Sequence, residues 1–178
     1  MDNPLRGSAP RVWHGPDYVV ILWYNETSAR AKIQVFSHGG IWSEWSIPDD
    51  IAGNLNLAAL RIAIGAESFV LYLAPKSPTS RQRLHLFRRK SYQFGNWDYQ
   101  TEDVENRGSI NDSATNLSIG SDFVVFNVGG TTTLHRFTYD RVTESWRVNS
   151  TTAPTGANVV VAAFGYFYMV GYWRKNLL

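Results

Sequence analysis

The sequence contains no cysteine among its 178 residues, which excludes a disulfide framework, a thiolate nucleophile and a cysteine-ligated zinc site. It also has little excess charge, because 17 Lys and Arg against 15 Asp and Glu leave a net charge of +2, too little to steer a polyanion over the whole surface. No run reaches the roughly 18 apolar residues of a membrane-spanning helix. The start at Met1-Asp2-Asn3-Pro4 lacks the basic and apolar regions of a signal peptide. These absences predict a soluble chain with no membrane span.

Apolar and aromatic residues are abundant, at 44% and 14% of the chain. A chain of this length and composition can bury a sizeable core, so we expect residues 1–178 to form one domain. Four Asn-x-Ser/Thr sequons occur, at Asn25, Asn111, Asn116 and Asn149. Such sequons suit a secreted, loop-rich protein, so an extracellular location is slightly favoured while other compartments stay open.

A glycine recurs with a spacing of about 50 residues, at Gly15, Gly65, Gly120 and Gly165. The residues after each glycine are β-branched and aromatic, as in a buried strand: 18–24, 69–73, 123–128 and 167–173. The last three glycines also follow apolar runs, at 58–64, 116–119 and 159–164. We therefore expect each glycine to lie in the tight turn of a hairpin.

A third run, with the alternating pattern of a strand, ends in Phe36, Phe87 or Phe137 in the first three repeats. Nine or ten residues later stands a tryptophan, Trp45, Trp97 or Trp146, in a short run that we interpret as a fourth strand. We expect these three tryptophans to occupy equivalent places in the core.

Four antiparallel strands per repeat, without helical periodicity, are typical of propeller blades. We therefore predict an all-β fold, a partial or small β-propeller of about four blades, with three complete four-stranded units and a half unit. The blades lie near residues 11–50, 57–104, 115–152 and 157–178. A β-sandwich is the alternative, but it does not explain why the same Gly, Phe and Trp return in register.

The third unit resembles a kelch repeat. Its apolar strand from Phe123 runs into the pair Gly129-Gly130, and six residues separate Tyr139 from Trp146. In the first unit the glycine pair, Gly39-Gly40, follows the third strand instead, and the second unit has no such pair. The resemblance implies propeller blades and supports a protein-interaction or assembly module as a possible function.

The first unit is similar to fungal fucose-lectin propellers, whose blades pair an Ile-Arg-Val-Tyr strand with a later Glu and Trp that hold a sugar. Ile33-Gln34-Val35-Phe36 and Glu44-Trp45 have a similar layout, with Gln34 in place of the arginine that grips hydroxyls. The resemblance implies a degenerate or different sugar site that includes Glu44.

Tryptophan stacks well on sugar rings and anchors interfaces. The tryptophans that do not recur in register are therefore the candidates for a ligand surface: Trp13, Trp23, Trp42 and Trp173. Trp23 and Trp173 follow their glycines at a similar distance, so a further packing layer is the alternative for these two. With Glu44, they favour non-enzymatic carbohydrate recognition, lectin-like and without a cofactor.

Other chemistry is weakly represented. We interpret the basic segment with Arg81, Arg83 and Arg89 as the solvated flank of a strand. The alternative is a binding surface for an acidic protein, an anionic glycan or a nucleic acid. Nucleic acid is the least favoured partner overall. His85 and His135 occupy the same place in successive repeats, which favours structural hydrogen bonds between blades over a metal site, and no metal spacing occurs.

Two further functions stay open. There is neither a Gly-x-Ser-x-Gly elbow nor a sialidase Asp-box, so no catalytic residue is assigned and a polysaccharide-active enzyme is the third hypothesis. The second hypothesis is assembly, because the fourth unit contains only two strands and open sheet edges invite partner strands. Three explanations of the incomplete unit stay open: residues 1–14 supply the closing strands of a four-bladed ring, the chain is an excerpt of a larger propeller, or two chains complement each other.

Overall fold

The computed structural model describes residues 10–25, 28, 30–37, 40, 42–47, 55–57, 59–73, 82–90, 96–104, 116–127, 133–152 and 158–173. Regular structure in these residues is β-strand throughout, so the all-β prediction is confirmed. No helix in this part of the chain is long and apolar enough to cross a bilayer.

The described strands form four antiparallel sheets, and within each sheet the strands are ordered as in the sequence. Sheet 1 contains β1 (Arg11–His14), β2 (Tyr18–Asn25), β3 (Arg30–Ser37) and β4 (Trp42–Ile47). Sheet 2 contains β5 (Arg61–Ile64), β6 (Ser68–Leu73), β7 (Gln82–Arg89) and β8 (Trp97–Val104). Sheet 3 contains β9 (Asn116–Ile119), β10 (Phe123–Asn127), β11 (Thr133–Asp140) and β12 (Ser145–Thr152). Sheet 4 contains β13 (Asn158–Phe164) and β14 (Phe167–Trp173).

The recurring glycines lie in the turns between the first two strands of each sheet. In the first three sheets the glycine N–H donates to the carbonyl oxygen three residues later, in Tyr18, Ser68 or Phe123, at 2.8 to 2.9 Å. In sheet 4 the turn is tighter, and Gly165 has a φ of 55° that residues with a Cβ rarely adopt. The repeat in the sequence therefore corresponds to a repeated hairpin.

The sheets stack face to face in chain order. We call the face turned toward the next sheet the front face and the opposite one the back face. In β6, Phe69, Leu71 and Leu73 on the back face pack against sheet 1, whereas Val70 and Tyr72 on the front face pack against sheet 3. Since every residue of β6 is buried, its unbroken apolar run reflects burial on both faces.

The hairpin turns of neighbouring sheets also lie side by side. The first strands are adjacent, with β5 against β9 and β9 against β13. The Ser121 N–H donates to the carbonyl oxygen of Gly165 at 2.6 Å, and a Cβ added to Gly120 would lie 2.6 Å from that same oxygen. Glycine at position 120 therefore allows the turns of sheets 3 and 4 to meet.

All three recurring tryptophans pack in or against the core, as expected, but the register that we expected them to share is wrong for Trp45. Trp97 pairs with Arg89 and Trp146 with Tyr139, which places both on back faces. Trp45 instead pairs with Ile33 on the front face of sheet 1, where it contacts Phe87 of sheet 2 with ring centroids 4.9 Å apart. The turn before β4 changes the register, and a shift by one residue moves a side chain to the other face.

Candidate functional site

The back face of sheet 1 is a broad surface that no other described sheet covers. The side chains of β2 alternate between buried and half-buried positions, because the front face packs on sheet 2 and the back face does not. Val12 and Trp42 on the back face are 47% and 51% exposed. In sheets 2 and 3 the corresponding face packs against the preceding sheet, so sheet 1 differs from them in having this surface free.

Three polar groups form a hydrogen-bonded line across this face. The Nε1 of Trp23 donates to Oε1 of Gln34 at 2.6 Å, and Nε2 of Gln34 donates to Oε2 of Glu44 at 2.8 Å. Gln34 is buried at 6% exposure. Its amide orientation is determined, since indole can only donate and a carboxylate can only accept.

The carboxylate of Glu44 is held by partners on both oxygens. Lys32 Nζ donates to Oε1 while Gln34 occupies Oε2. The hydrogen bond from Lys32 is the main cause that lowers the pKa of Glu44 below its ordinary value, and Gln34 adds to it. The group is therefore ionised at neutral pH, and with roughly four acceptor sites on a carboxylate it keeps acceptor capacity for a ligand.

An aromatic pair lies next to this line. Trp42 pairs with Phe36 across β3 and β4, and their rings stack at 16° with centroids 6.3 Å apart. Trp42 and Glu44 are two residues apart on one strand, so their side chains project from the same face. We call the group formed by Trp23, Lys32, Gln34, Phe36, Trp42 and Glu44 the sheet 1 platform.

The structure brings together three of the five residues that the sequence suggested for ligand binding, namely Trp23, Trp42 and Glu44. Trp13 lies on the front face, opposite Val20, and packs half-buried against the core. The backbone of Trp173 pairs with Asn158 at the end of β14, but its side chain lies outside the described residues. Lys32 was missed because its pairing with Glu44 depends on the register of β3 and β4.

The basic segment of β7 makes structural contacts. Arg81 lies outside the described residues, and Arg83 is half-buried. Both terminal nitrogens of Arg89 donate to Asp17, at 2.6 and 2.8 Å, and this hydrogen bonding is the main cause that raises the pKa of Arg89. Its guanidinium also lies over the rings of Tyr18 and Trp97. Arg89 thus joins sheet 1 to sheet 2.

A second ion-pair cluster joins sheets 2 and 3 and was not foreseen from the sequence. Buried Arg88 contacts Glu67 at 2.5 Å and Asp122 at 2.7 Å, and it donates to the carbonyl of Ser121 at 2.6 Å. Asp17, Glu67 and Asp122 all stand two residues after a recurring glycine. That repeated acidic position was the signal available in the sequence.

The two repeated histidines differ in environment. His85 is fully buried, and its Nδ1 lies 2.9 Å from the hydroxyl of Tyr99; burial lowers the pKa of His85 to about 4. His135 is half-buried, with its Nδ1 2.9 Å from the hydroxyl of Ser150. These bonds lie within single sheets, whereas we expected bonds between blades.

Within the described residues, no group of three or more His, Asp or Glu side chains is arranged to hold a metal ion. No family model and no curated protein matches the chain.

Proposed function

We propose that the four sheets are successive blades of a β-propeller. Three features support this arrangement: the strands of each sheet follow chain order, the sheets stack face to face, and in sheets 2 to 4 the first strand of one sheet lies against the first strand of the next. A β-sandwich consists of two packed sheets, so it does not account for four sheets stacked in chain order. The repeated Gly turns then lie together at one end of the stack.

We further propose that the protein is a non-enzymatic carbohydrate-recognition module and that the sheet 1 platform holds the sugar. The observation that carries the proposal is an exposed indole, Trp42, fixed on Phe36 beside an ionised carboxylate, Glu44, that its neighbours already orient. A sugar presents a C–H face that packs on an aromatic ring and hydroxyls that donate to a carboxylate. The platform presents the Trp42 ring and the Glu44 carboxylate on the same face of the sheet.

The charge of the platform narrows the sugar class. Glu44 and Lys32 form an ion pair, and Gln34 and Trp23 are neutral, so these four platform residues carry no net positive charge that would attract a carboxylated or sulfated sugar. A neutral sugar fits best. Hydrolysis is not favoured, because Glu44 is the sole carboxylate among the six platform residues and a glycosidase ordinarily uses two.

The experiment is a glycan array followed by calorimetric titration of the neutral sugar that binds best. Trp42→Ala should weaken binding about tenfold or more, equivalent to about 1.4 kcal/mol, and Glu44→Gln should weaken it by removing the charged acceptor. Tyr166→Ala is the matched control, since Tyr166 is 73% exposed in a turn of sheet 4. Equal binding by Trp42→Ala and the unmodified protein, or no binding to any neutral glycan, would refute the proposal.

A further inference from the structure

The two ends of the stack expose apolar faces. On sheet 4, Tyr168 contacts Phe123 of sheet 3, so the alternate side chains of β14 form the front face, which no other described sheet covers. There Phe167 and Met169 are 78% and 73% exposed. At the opposite end, the back face of sheet 1 is free, so the two end faces do not cover each other in the described part of the chain.

The internal repeat allows the back face of sheet 1 to be compared with the back faces of sheets 2 and 3, which another sheet covers. Val19 and Ile21 stand four and six residues after Gly15. The same positions after Gly65 are Phe69 and Leu71, which are fully buried because the front face of sheet 1 packs on them. After Gly120 they are Val124 and Phe126, fully buried under the front face of sheet 2. The surface that fits on Val19 and Ile21 is therefore the front face of another sheet of this chain.

The back face of sheet 1 has two different halves. The half on β1 and β2 carries Val12, Val19, Ile21 and Trp23, with His14 beside the turn and no Asp, Glu, Lys or Arg, whereas the half on β3 and β4 carries Arg30, Lys32 and Glu44. Residues 158–173, which include β13 and β14, also have no charged side chain. Neighbouring strands lie about 4.8 Å apart in a sheet, so the pair β13–β14 is as wide as the pair β1–β2. The two surfaces therefore match in width and in having no Asp, Glu, Lys or Arg.

We propose that the front face of sheet 4 docks on the β1–β2 half of the sheet 1 back face of a second copy of this chain. Each chain contributes one face of each kind, so two chains joined head to tail form two identical seams when the rotation between them closes the ring. Two chains place eight sheets in the ring, the upper end of the usual four to eight propeller blades. Of the sheet 1 platform, Trp23 lies on β2 within the docked half, whereas the platform residues on β3 and β4, including Trp42 and Glu44, stay open beside the seam.

The test is the molar mass of the full chain by light scattering on a size-exclusion column at micromolar concentration. We expect twice the chain mass of 20.1 kDa. Phe167→Glu and Val12→Glu should each give a monomer, since each places a charge in the seam at a position exposed in the single chain. Val142→Glu, at a position 93% exposed in a turn of sheet 3, is the matched control and should stay dimeric.

Mixing the variants distinguishes head-to-tail docking from other dimers. Phe167→Glu keeps an intact sheet 1 face and Val12→Glu keeps an intact sheet 4 face, so an equimolar mixture should recover a dimer through one seam. A monomeric unmodified chain, a dimer that survives either substitution, or a mixture that stays monomeric refutes the proposal. Trp42→Ala should remain dimeric, so loss of sugar binding and loss of assembly are separate results.

Discussion

The buried imidazole of His85 makes the stability of the fold depend on pH. In the folded chain the ring is fully buried, and desolvation, with a smaller effect of the Arg83 charge, lowers its pKa from 6.5 to about 4. In the unfolded chain the ring is solvated and keeps the ordinary value. Well above pH 6.5 the ring is neutral in both states, so this histidine causes no pH dependence there.

Between pH 6.5 and 4 the unfolded state takes up a proton that the folded state does not, so the free energy of unfolding falls as the pH falls. Each pKa unit corresponds to about 1.4 kcal/mol, and the difference between 6.5 and about 4 therefore corresponds to ~3 kcal/mol. That loss is complete near pH 4, below which this group adds no further change.

The assay is urea unfolding followed by tryptophan fluorescence at intervals from pH 8 to pH 4, comparing the unmodified chain with His85→Gln. Glutamine is the residue that sheet 1 has at the equivalent position, Gln34, and it does not titrate. We expect the difference in unfolding free energy between the two proteins to shift by ~3 kcal/mol in favour of His85→Gln over this range.

His135→Gln is the control, because His135 is half-buried and lies near Ser150, and this variant should keep the acid-dependent loss. Comparing the variants cancels the titration of carboxylates and other histidines. If His85→Gln lost stability with acid as steeply as the unmodified chain, the assignment of the pH dependence to the buried ring would be wrong.

Two substitutions test the contacts between hairpin turns, both by thermal and urea unfolding. Tyr18→Phe should lower the free energy of unfolding by about 1–2 kcal/mol, because the buried hydroxyl donates to Gly65 O at 2.7 Å; an unchanged midpoint would mean that this bond does not hold sheets 1 and 2 together. Gly120→Ala should cost about 1–3 kcal/mol, since its Cβ would meet the Gly165 carbonyl oxygen. Gly65→Ala should cost less, because its nearest backbone atom is 3.3 Å away, and the reverse order would contradict the described packing.

The hairpins were predictable because their signal is local. A glycine between two β-branched runs determines a turn whatever surrounds it, and Gly15, Gly65 and Gly120 all make the same backbone bond. The apolar run of β6 was likewise predictable as a strand from its β-branched and aromatic residues. These features depend on residues within a few positions of one another.

Register and long-range pairing were not predictable in the same way. Trp45 and Trp146 stand nine residues after their phenylalanines and yet lie on opposite faces, because the turns between β3 and β4 and between β11 and β12 set different registers. The pairing of Arg88 with Asp122 spans two sheets; the repeated acidic position after each glycine marks Asp122 in the sequence, but it does not identify Arg88 as its partner. For the sheet 1 platform, the residue types were visible, but their meeting on one face required the pairing of β2, β3 and β4.

The order of the sheets has a consequence for how the fold holds together. Within each sheet every strand bonds to its neighbour in sequence, and each apolar cluster joins consecutive sheets. The described sheets therefore form a short linear array in which each unit is stabilised by its contacts with the adjacent units. Among the described sheets of a single chain, sheets 2 and 3 pack against a sheet on both sides, whereas sheets 1 and 4 each pack against one. Such an array can lengthen or shorten by whole units, because adding one at an end leaves every existing strand pairing unchanged.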